Sequence, residues 1–348
     1  MAVARNLSID VVRGLAILIM LPANMAAVVY AEPHAGWFRV LSSFAAPTFV
    51  SITGMMIAFG SAANKYDWRH YFIRGLLLLG VAACVDMLIW RFIPFYSYDV
   101  LYLIGIACPL SYFFTKTGRN VQLTLLGIIF LATPLLQNIF GYTDYPSEIY
   151  LWGPDAGRFS IEARNPTPVL QHLLIDGWFP LFPWLGISFS GAFIARYFFM
   201  SDQGEAYLPI GIAAPALITT GSVVWTLYPG EHYIRAGYSE MFYPSTFGFI
   251  LTSIGFLLAA LRLTHWNPGA WIYAPLRWLG EASLFIYVLH YSIIHFVLES
   301  RFPDKPFFEF MVINFVTLLF LIIVAWCLHQ MKQVWPCRPF LIRFLLGG

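Results

Sequence analysis

Charge is scarce in this chain of 348 residues: Asp, Glu, Lys and Arg together make up 11%, against 59% hydrophobic residues and a mean hydropathy of +0.70. So little polar surface cannot cover a soluble body of this length, so the composition excludes a soluble enzyme and predicts a polytopic membrane protein. Cysteine is scarce too. Cys84, Cys108 and Cys327 fall inside apolar runs and Cys337 sits in a basic tail expected to face a reducing compartment, which excludes a disulfide framework. No His or Cys spacing suggests a metal or redox site, and no run of like charge suggests nucleic acid. Linkers, low-complexity tracts and a fixed-period repeat are likewise missing, so residues 1–348 read as a single membrane domain.

What the chain has instead is long apolar runs. Those of about 18 residues or more read as membrane-spanning helices, here near 9–31, 38–62, 72–91, 100–116, 121–140, 168–199, 208–228, 244–264, 280–299 and 308–331. The predicted fold is an all-α bundle of about ten transmembrane helices. The 168–199 run is interrupted by Pro180 and Pro183. Placing the N-terminus inside puts most of the 20 Lys and Arg on the cytoplasmic side, which predicts cytoplasmic termini. The first span is expected to be retained rather than cleaved as a signal peptide.

Within that first span the segment Leu7-Ser8-Ile9-Asp10-Val11-Val12-Arg13-Gly14 places an acid and a base in apolar surroundings. Charge in a span costs at least ~2.5 kcal/mol per residue, so it persists where a partner, a ligand or water compensates it. On a helix Asp10 and Arg13 share a face, and Asn24 returns to that face about 16 Å further along. Just beyond lies His34, within Glu32-Pro33-His34-Ala35-Gly36-Trp37. Imidazole accepts a proton near neutral pH, and acyl transfer needs such a base together with a donor for the developing oxyanion, a role open to the Asn24 amide. A wetted surface histidine is the ordinary alternative. Other polar groups inside apolar runs are Asp86, expected to pair with Arg91 or to face the site, Asp176 at the proline-distorted segment, and His290 beside Tyr287 and Tyr291. The outer connection from Gly141 to Thr167 mixes Tyr142, Tyr145, Tyr150 and Trp152 with Asp144, Glu148 and Asp155, a composition that suits a sugar or an interfacial aromatic belt.

Four blocks carry a resemblance. Ser8-Ile9-Asp10-Val11-Val12-Arg13-Gly14-Leu15-Ala16-Ile17-Leu18-Ile19-Met20, Asn24, His34 with Gly36-Trp37, and Ala46-Pro47-Thr48-Phe49-Val50-Ser51-Ile52-Thr53-Gly54 form the first. Trp178-Phe179-Pro180-Leu181-Phe182-Pro183-Trp184-Leu185-Gly186, Tyr243-Pro244-Ser245-Thr246 and Gly280-Glu281-Ala282-Ser283-Leu284-Phe285-Ile286-Tyr287-Val288-Leu289-His290 follow in order. The chain resembles the heparan-α-glucosaminide N-acetyltransferase family of integral-membrane acyltransferases, in its bacterial form. The resemblance implies transfer of an acetyl group from cytoplasmic acetyl-CoA to a sugar amine or hydroxyl across a membrane, the bacterial inner membrane in this case. It also implies catalytic roles for His34 and Asn24. Candidates for the donor are Arg13, Arg74 and Arg277, whose guanidinium forks suit phosphate oxygens, with Asp10 orienting Arg13 and His290 near the donor's arm. Asp176 and Trp37 are the candidates for the sugar or glycan acceptor. No metal is implied, and a homodimer is compatible. The family's Asp-Pro-Glu-Gly-like element is replaced here by Glu162-Ala163-Arg164-Asn165-Pro166-Thr167-Pro168. The competing class is a small-molecule transporter or flippase, which would use Asp86 and Asp176 as coupling residues and would not need His34.

Overall fold

The computed structural model describes residues 6–96, 98–142, 167–200, 207–230, 238–265, 267–335 and 337–347. The connection expected to carry the aromatic and acidic mixture falls mostly on residues 143–166, outside the described residues, as do five of the seven residues replacing the Asp-Pro-Glu-Gly-like element. Regular structure is helical: α1 (Leu7–Val29), α2 (Gly36–Ser42), α3 (Ala45–Ala62), α4 (Trp68–Val85), α5 (Val100–Lys116), α6 (Arg119–Phe140), α7 (Thr167–Gln171), α8 (Leu181–Ile194), α9 (Tyr207–Leu227), α10 (Phe247–His265), α11 (Ala274–Glu281), α12 (Ser283–Ile293), α13 (Phe307–Val334) and α14 (Phe340–Leu345). No strand forms among the described residues; Tyr30 and Lys305 pair in an isolated bridge. The protein is an all-α, polytopic membrane protein.

Every one of the ten apolar runs is helical along most of its length. Eight helices are long and apolar enough to cross a membrane, and nine if the bent pair Val169–Asp176 and Leu181–Phe199 counts as one span. That pair bends by 48° where Pro180 and Pro183 interrupt the hydrogen-bond ladder. The remaining run, α5, is shorter at 17 residues. The run at 38–62 is two helices, α2 and α3, and the run at 280–299 is split from α11 at Ala282.

Four spans end or begin in a single π-helical turn: Asp86–Trp90, His172–Asp176, Ala195–Phe199 and Ile294–Leu298. A π turn inserts one extra residue and rotates the side chains that follow it. Three of the four carry a carboxylic acid or a histidine: Asp86, the pair His172 and Asp176, and His295.

α1 is the buried centre, in contact with α3, α10, α11, α12 and α13. Apolar side chains gain little from pairing with one another when lipid is the alternative, so close backbone approach at small residues holds such helices together. Gly14 meets the backbone of Leu276, and Gly280 meets the backbone carbonyl of Asp10, which locks α1 to α11. Gly54 and Gly191 make the same kind of contact with Ser188 and Ser51, locking α3 to α8. Leu131 and Ile139 on α6, Ile212 on α9 and Val316 on α13 point outward, as lipid-facing residues do.

The helices alternate in direction. Arg13 meets Gly280, Arg196 meets Thr117, and Arg74 meets Phe344 at the end that carries both termini. At the opposite end Ala31 meets Lys305 and Phe179 meets Tyr98. The N-terminal and C-terminal ends of the described chain therefore share one face of the bundle.

A Cβ at Gly191 would lie 1.9 Å from the Ser51 carbonyl oxygen, so Gly191→Ala must force α3 and α8 apart. Overpacking of this kind costs typically about 1–3 kcal/mol, to be read as a lower thermal midpoint in detergent. Gly127→Ala, which meets nothing within 4 Å, should leave that midpoint unchanged or slightly higher.

Candidate active site

A cavity of about 1410 Å³ runs through the bundle and is lined by residues from both of its ends. Its charge is segregated by depth. The lining Lys and Arg, namely Arg13, Lys65, Arg74 and Arg343, all stand at the end that carries the termini. Four lining carboxylic groups, Asp86, Asp99, Glu240 and Glu299, stand at the other. Asp10 is the acidic exception at the basic mouth.

At that mouth Arg13 donates from Nη1 to Oδ1 of Asp10 at 3.3 Å and to the Gly280 carbonyl at 3.0 Å. The first contact is the i, i+3 pairing of the sequence pattern; the second ties it to α11. Tyr66 stacks on His70 with ring centroids 3.8 Å apart, and the Lys65 ammonium lies 5.1 Å from the Tyr66 ring. Arg74 sits 5.7 Å from the ring of Phe344 on α14. A planar aromatic face among four cations is thus presented at the mouth. Arg277 lies apart: its Nη1 donates to the Pro268 carbonyl at 2.8 Å, and it is not among the lining residues.

Midway, Asn24 lines the cavity from α1, two residues past Pro22. Its Nδ2 lies 2.9 Å from Nε2 of the fully buried His290, whose Nδ1 is 3.3 Å from the Ile286 carbonyl. With Nδ1–H donating to that carbonyl, Nε2 accepts from the amide, and this tautomer leaves the Asn24 oxygen turned away from the pair. His290 itself is behind Asn24 and does not line the cavity.

At the acidic end two carboxyl groups are held by phenols. Tyr102 donates to Asp86 at 2.5 Å, and Tyr287 donates to Asp99 at 2.5 Å while Asp99 also caps α5 through the Val100 amide. The expected Asp86–Arg91 pair is therefore replaced by a contact to Tyr102. The π turn redirects Asp86 inward, and Arg91, with a left-handed φ of 63°, points to the exposed side.

His34 is buried, stacked on Tyr30 at 4.5 Å. Its Nε2 lies 3.1 Å from the Tyr30 carbonyl and its Nδ1 2.5 Å from the Ser239 hydroxyl, so Nε2 donates and Nδ1 accepts. The ring stands behind the segment 238–243 and is not among the lining residues. Trp37 is 58% exposed on the outside of α2. Asp176 is wholly buried, bonded to His172 at 2.7 Å and Gln171 at 2.9 Å, and stands outside the lining as well. Of the nine side chains given a catalytic, donor or acceptor role in the sequence analysis, the cavity brings together Asp10, Arg13, Asn24 and Arg74.

The segment that carries Ser239 also supplies Glu240, next to Tyr238, Phe242 and Tyr243 in the cavity wall. Burial pushes the Glu240 carboxyl up to about 7, partly offset by the backbone N–H groups of Glu240 and Ser239 and by the Arg39 guanidinium. Sequence reasoning passed over Glu240, Asp99, Lys65, Tyr66 and Arg343. For Glu240 the signal was present: an acid among aromatics in a short connection, the same combination that drew attention to 141–167.

The catalytic-domain description "Heparan-alpha-glucosaminide N-acetyltransferase, catalytic" matches residues 5–228. The chain belongs to the heparan-α-glucosaminide N-acetyltransferase family. No curated protein sequence matches the chain. Family membership makes it a membrane acyltransferase in general terms. The matched stretch holds Asp10, Arg13, Asn24, His34, Lys65 and Arg74, and ends before Glu240, His290 and Arg343. Among the described residues no group of three or more His, Cys, Asp and Glu side chains is placed to hold a metal ion.

Two outcomes follow from this geometry. Asn24→Ala leaves His290 Nε2 buried without its donor, which costs about 1–3 kcal/mol; thermal melting of the variant in detergent should show that loss in the absence of any ligand. For Glu240 the folded value near 7 exceeds the unfolded 4.5, so its stabilising contribution is complete below pH 4.5, declines as pH rises to about 7 and is flat above. The decline amounts to roughly 3 kcal/mol, and Glu240→Gln, with no proton to lose, should abolish that part of the pH dependence of the thermal midpoint.

Proposed function

We propose that this protein transfers an acetyl group from cytoplasmic acetyl-CoA to a sugar amine or hydroxyl presented on the far side of the membrane. The observation that carries the reading is the charge segregation along one continuous cavity, basic at one end and acidic with aromatics at the other. Four cations at the mouth suit the phosphates of a nucleotide, and arginine offers them a two-pronged contact. The face of Tyr66 suits the adenine. The positive-inside rule supports a cytoplasmic position for that mouth.

In this reading Arg13, steadied by Asp10 and the Gly280 carbonyl, anchors the donor together with Lys65, Arg74 and Arg343. Arg277, occupied with the Pro268 carbonyl, contributes by shaping the loop beside the mouth. Asn24 stands midway along the cavity, where a span-length arm threaded from the mouth brings its thioester. His290 orients the Asn24 amide, and a second amide hydrogen then donates to the thioester oxygen as negative charge builds on it. The acceptor's nitrogen or oxygen forms a bond to the carbonyl carbon, the carbon–sulfur bond breaks, and the thiolate takes up a proton. His34 is the base for the acceptor's proton, reached through the Ser239 hydroxyl that its Nδ1 already accepts from. Trp37, exposed on the outside of α2, and Asp176, outside the lining and bonded to His172, are the outlying candidates on the acceptor side.

A transporter would share the through-going cavity and the buried acids, but gives no reason for four cations and an aromatic face gathered at one mouth. Thermal melting of detergent-purified protein with acetyl-CoA separates the two. Ligand at a hundredfold excess over its dissociation constant stabilises the folded state by ~2.7 kcal/mol. Arg13→Ala should weaken that shift and His34→Ala should keep most of it. Absence of a shift in the wild type with both acetyl-CoA and CoA would refute the donor assignment.

A further inference from the structure

The acidic end of the cavity holds a carboxyl group with one oxygen left without a hydrogen-bond partner among the described residues. Glu240 is only 6% exposed, its carboxyl lines the cavity, and its Oε2 is buried with no hydrogen-bond partner among the described residues. A buried carboxyl oxygen left in this state costs free energy that a ligand with a matching donor recovers. Asp86 and Asp99, at the same end, already accept from Tyr102 and Tyr287. Glu240 differs from both.

Its surroundings narrow the choice of ligand. Trp178 stands edge to face with Tyr238 and Tyr243, ring centroids 5.3 Å and 5.6 Å apart, and all three rings line the cavity beside Glu240. Aromatic faces attract a cation and also pack against the C–H face of a sugar ring. Among the described residues no Lys or Arg lines this end to repel a positive ligand. Arg39 on α2 acts on Glu240 through its charge, and its Nε donates to the Ser239 carbonyl.

We propose that Glu240 is the specificity-determining residue of the acceptor site: its carboxylate receives the ammonium group of an amino sugar and takes the proton that must leave before nitrogen can attack. This rests on the acyl-transfer reading given above and adds the residue that selects the amine, the acceptor group in the family's own description, over a hydroxyl. The bookkeeping of protons is closed. An ammonium has two protons to lose: Glu240 accepts the first and releases it to water at the outer mouth. The second leaves as the carbon–nitrogen bond forms, passing toward Ser239 and His34, and the departing thiolate is protonated in turn. Burial, by favouring the neutral carboxyl, makes Glu240 able to hold that first proton near neutral pH. The residue falls outside the matched stretch 5–228, so the assignment belongs to this chain and not to the family description.

The test uses the full-length protein in detergent, with D-glucosamine and D-glucose as acceptor probes and acetyl-CoA as donor. Wild type should acetylate glucosamine in preference to glucose. Glu240→Gln should lose roughly 10- to 100-fold in kcat/KM for glucosamine, the span expected when a hydrogen bond to a charged group is removed. Its thermal shift with acetyl-CoA should stay at the wild-type value, which also certifies the fold. Glu240→Asp, keeping the charge, should retain the preference for the amine. Wild-type kcat/KM for glucosamine in Glu240→Gln overturns the proposal, as does a wild type that acetylates glucose as well as glucosamine or acetylates neither while binding acetyl-CoA. A wild type with no acetyl-CoA shift refutes instead the reading on which it rests.

Discussion

The backbone contact between α1 and α11 governs how this protein carries charge through a membrane. Arg13 sits one turn inside α1, where an uncompensated cation is expensive, and two neighbours offset it: Asp10 on its own helix and the Gly280 carbonyl on α11. That carbonyl is within reach only because Gly14 and Gly280 lack a Cβ, which lets the two backbones touch. The guanidinium is then fixed at the cavity mouth rather than extended toward bulk water. Lys65, Arg74 and Arg343 join it from three other elements. A mouth of like charges would repel itself, and an anionic ligand is the natural means of relieving it.

From that anchor the depth of everything else along α1 follows. Asn24 lies three turns further on and meets His290 on α12; beyond the helix end His34 turns back under Tyr30. The polar stripe foreseen on one helix thus becomes one wall of a cavity whose other walls come from α3, α4, α5, α12 and the segment 238–243. Opposite ends of the cavity carry opposite charge. Such an arrangement suits a reaction in which a polyanionic donor and a cationic or neutral acceptor approach from different sides and meet near the middle.

His34 illustrates the difference between proximity in sequence and placement in space. Both its ring nitrogens are engaged, by the Tyr30 carbonyl and the Ser239 hydroxyl, and the segment 238–243 separates it from the cavity. Imidazole next to an Asn-bearing span pointed to chemistry at His34. What it left out is the partner some 200 residues away that lies between the imidazole and the cavity. Asp176 is a similar case: an acid at a distorted helix end looked like a ligand group, yet His172 one turn earlier takes its hydrogen bond locally.

Apolar run length and proline position determined the helical class, the ten segments and the bend at Pro180 and Pro183, because a bilayer forces every backbone group to be satisfied within its own segment. The i, i+3 spacing likewise determined the Asp10–Arg13 pair, since helix geometry alone brings those side chains together. Tertiary structure decided which charged residues share a cavity. Lys65 and Arg343 are nearly 280 residues apart, and Glu240 and Trp178 come from different connections; no local period encodes such meetings. They arise from how the spans pack, and packing in lipid turns on small residues such as Gly14, Gly54, Gly191 and Gly280, whose contribution lies in the side chain they lack.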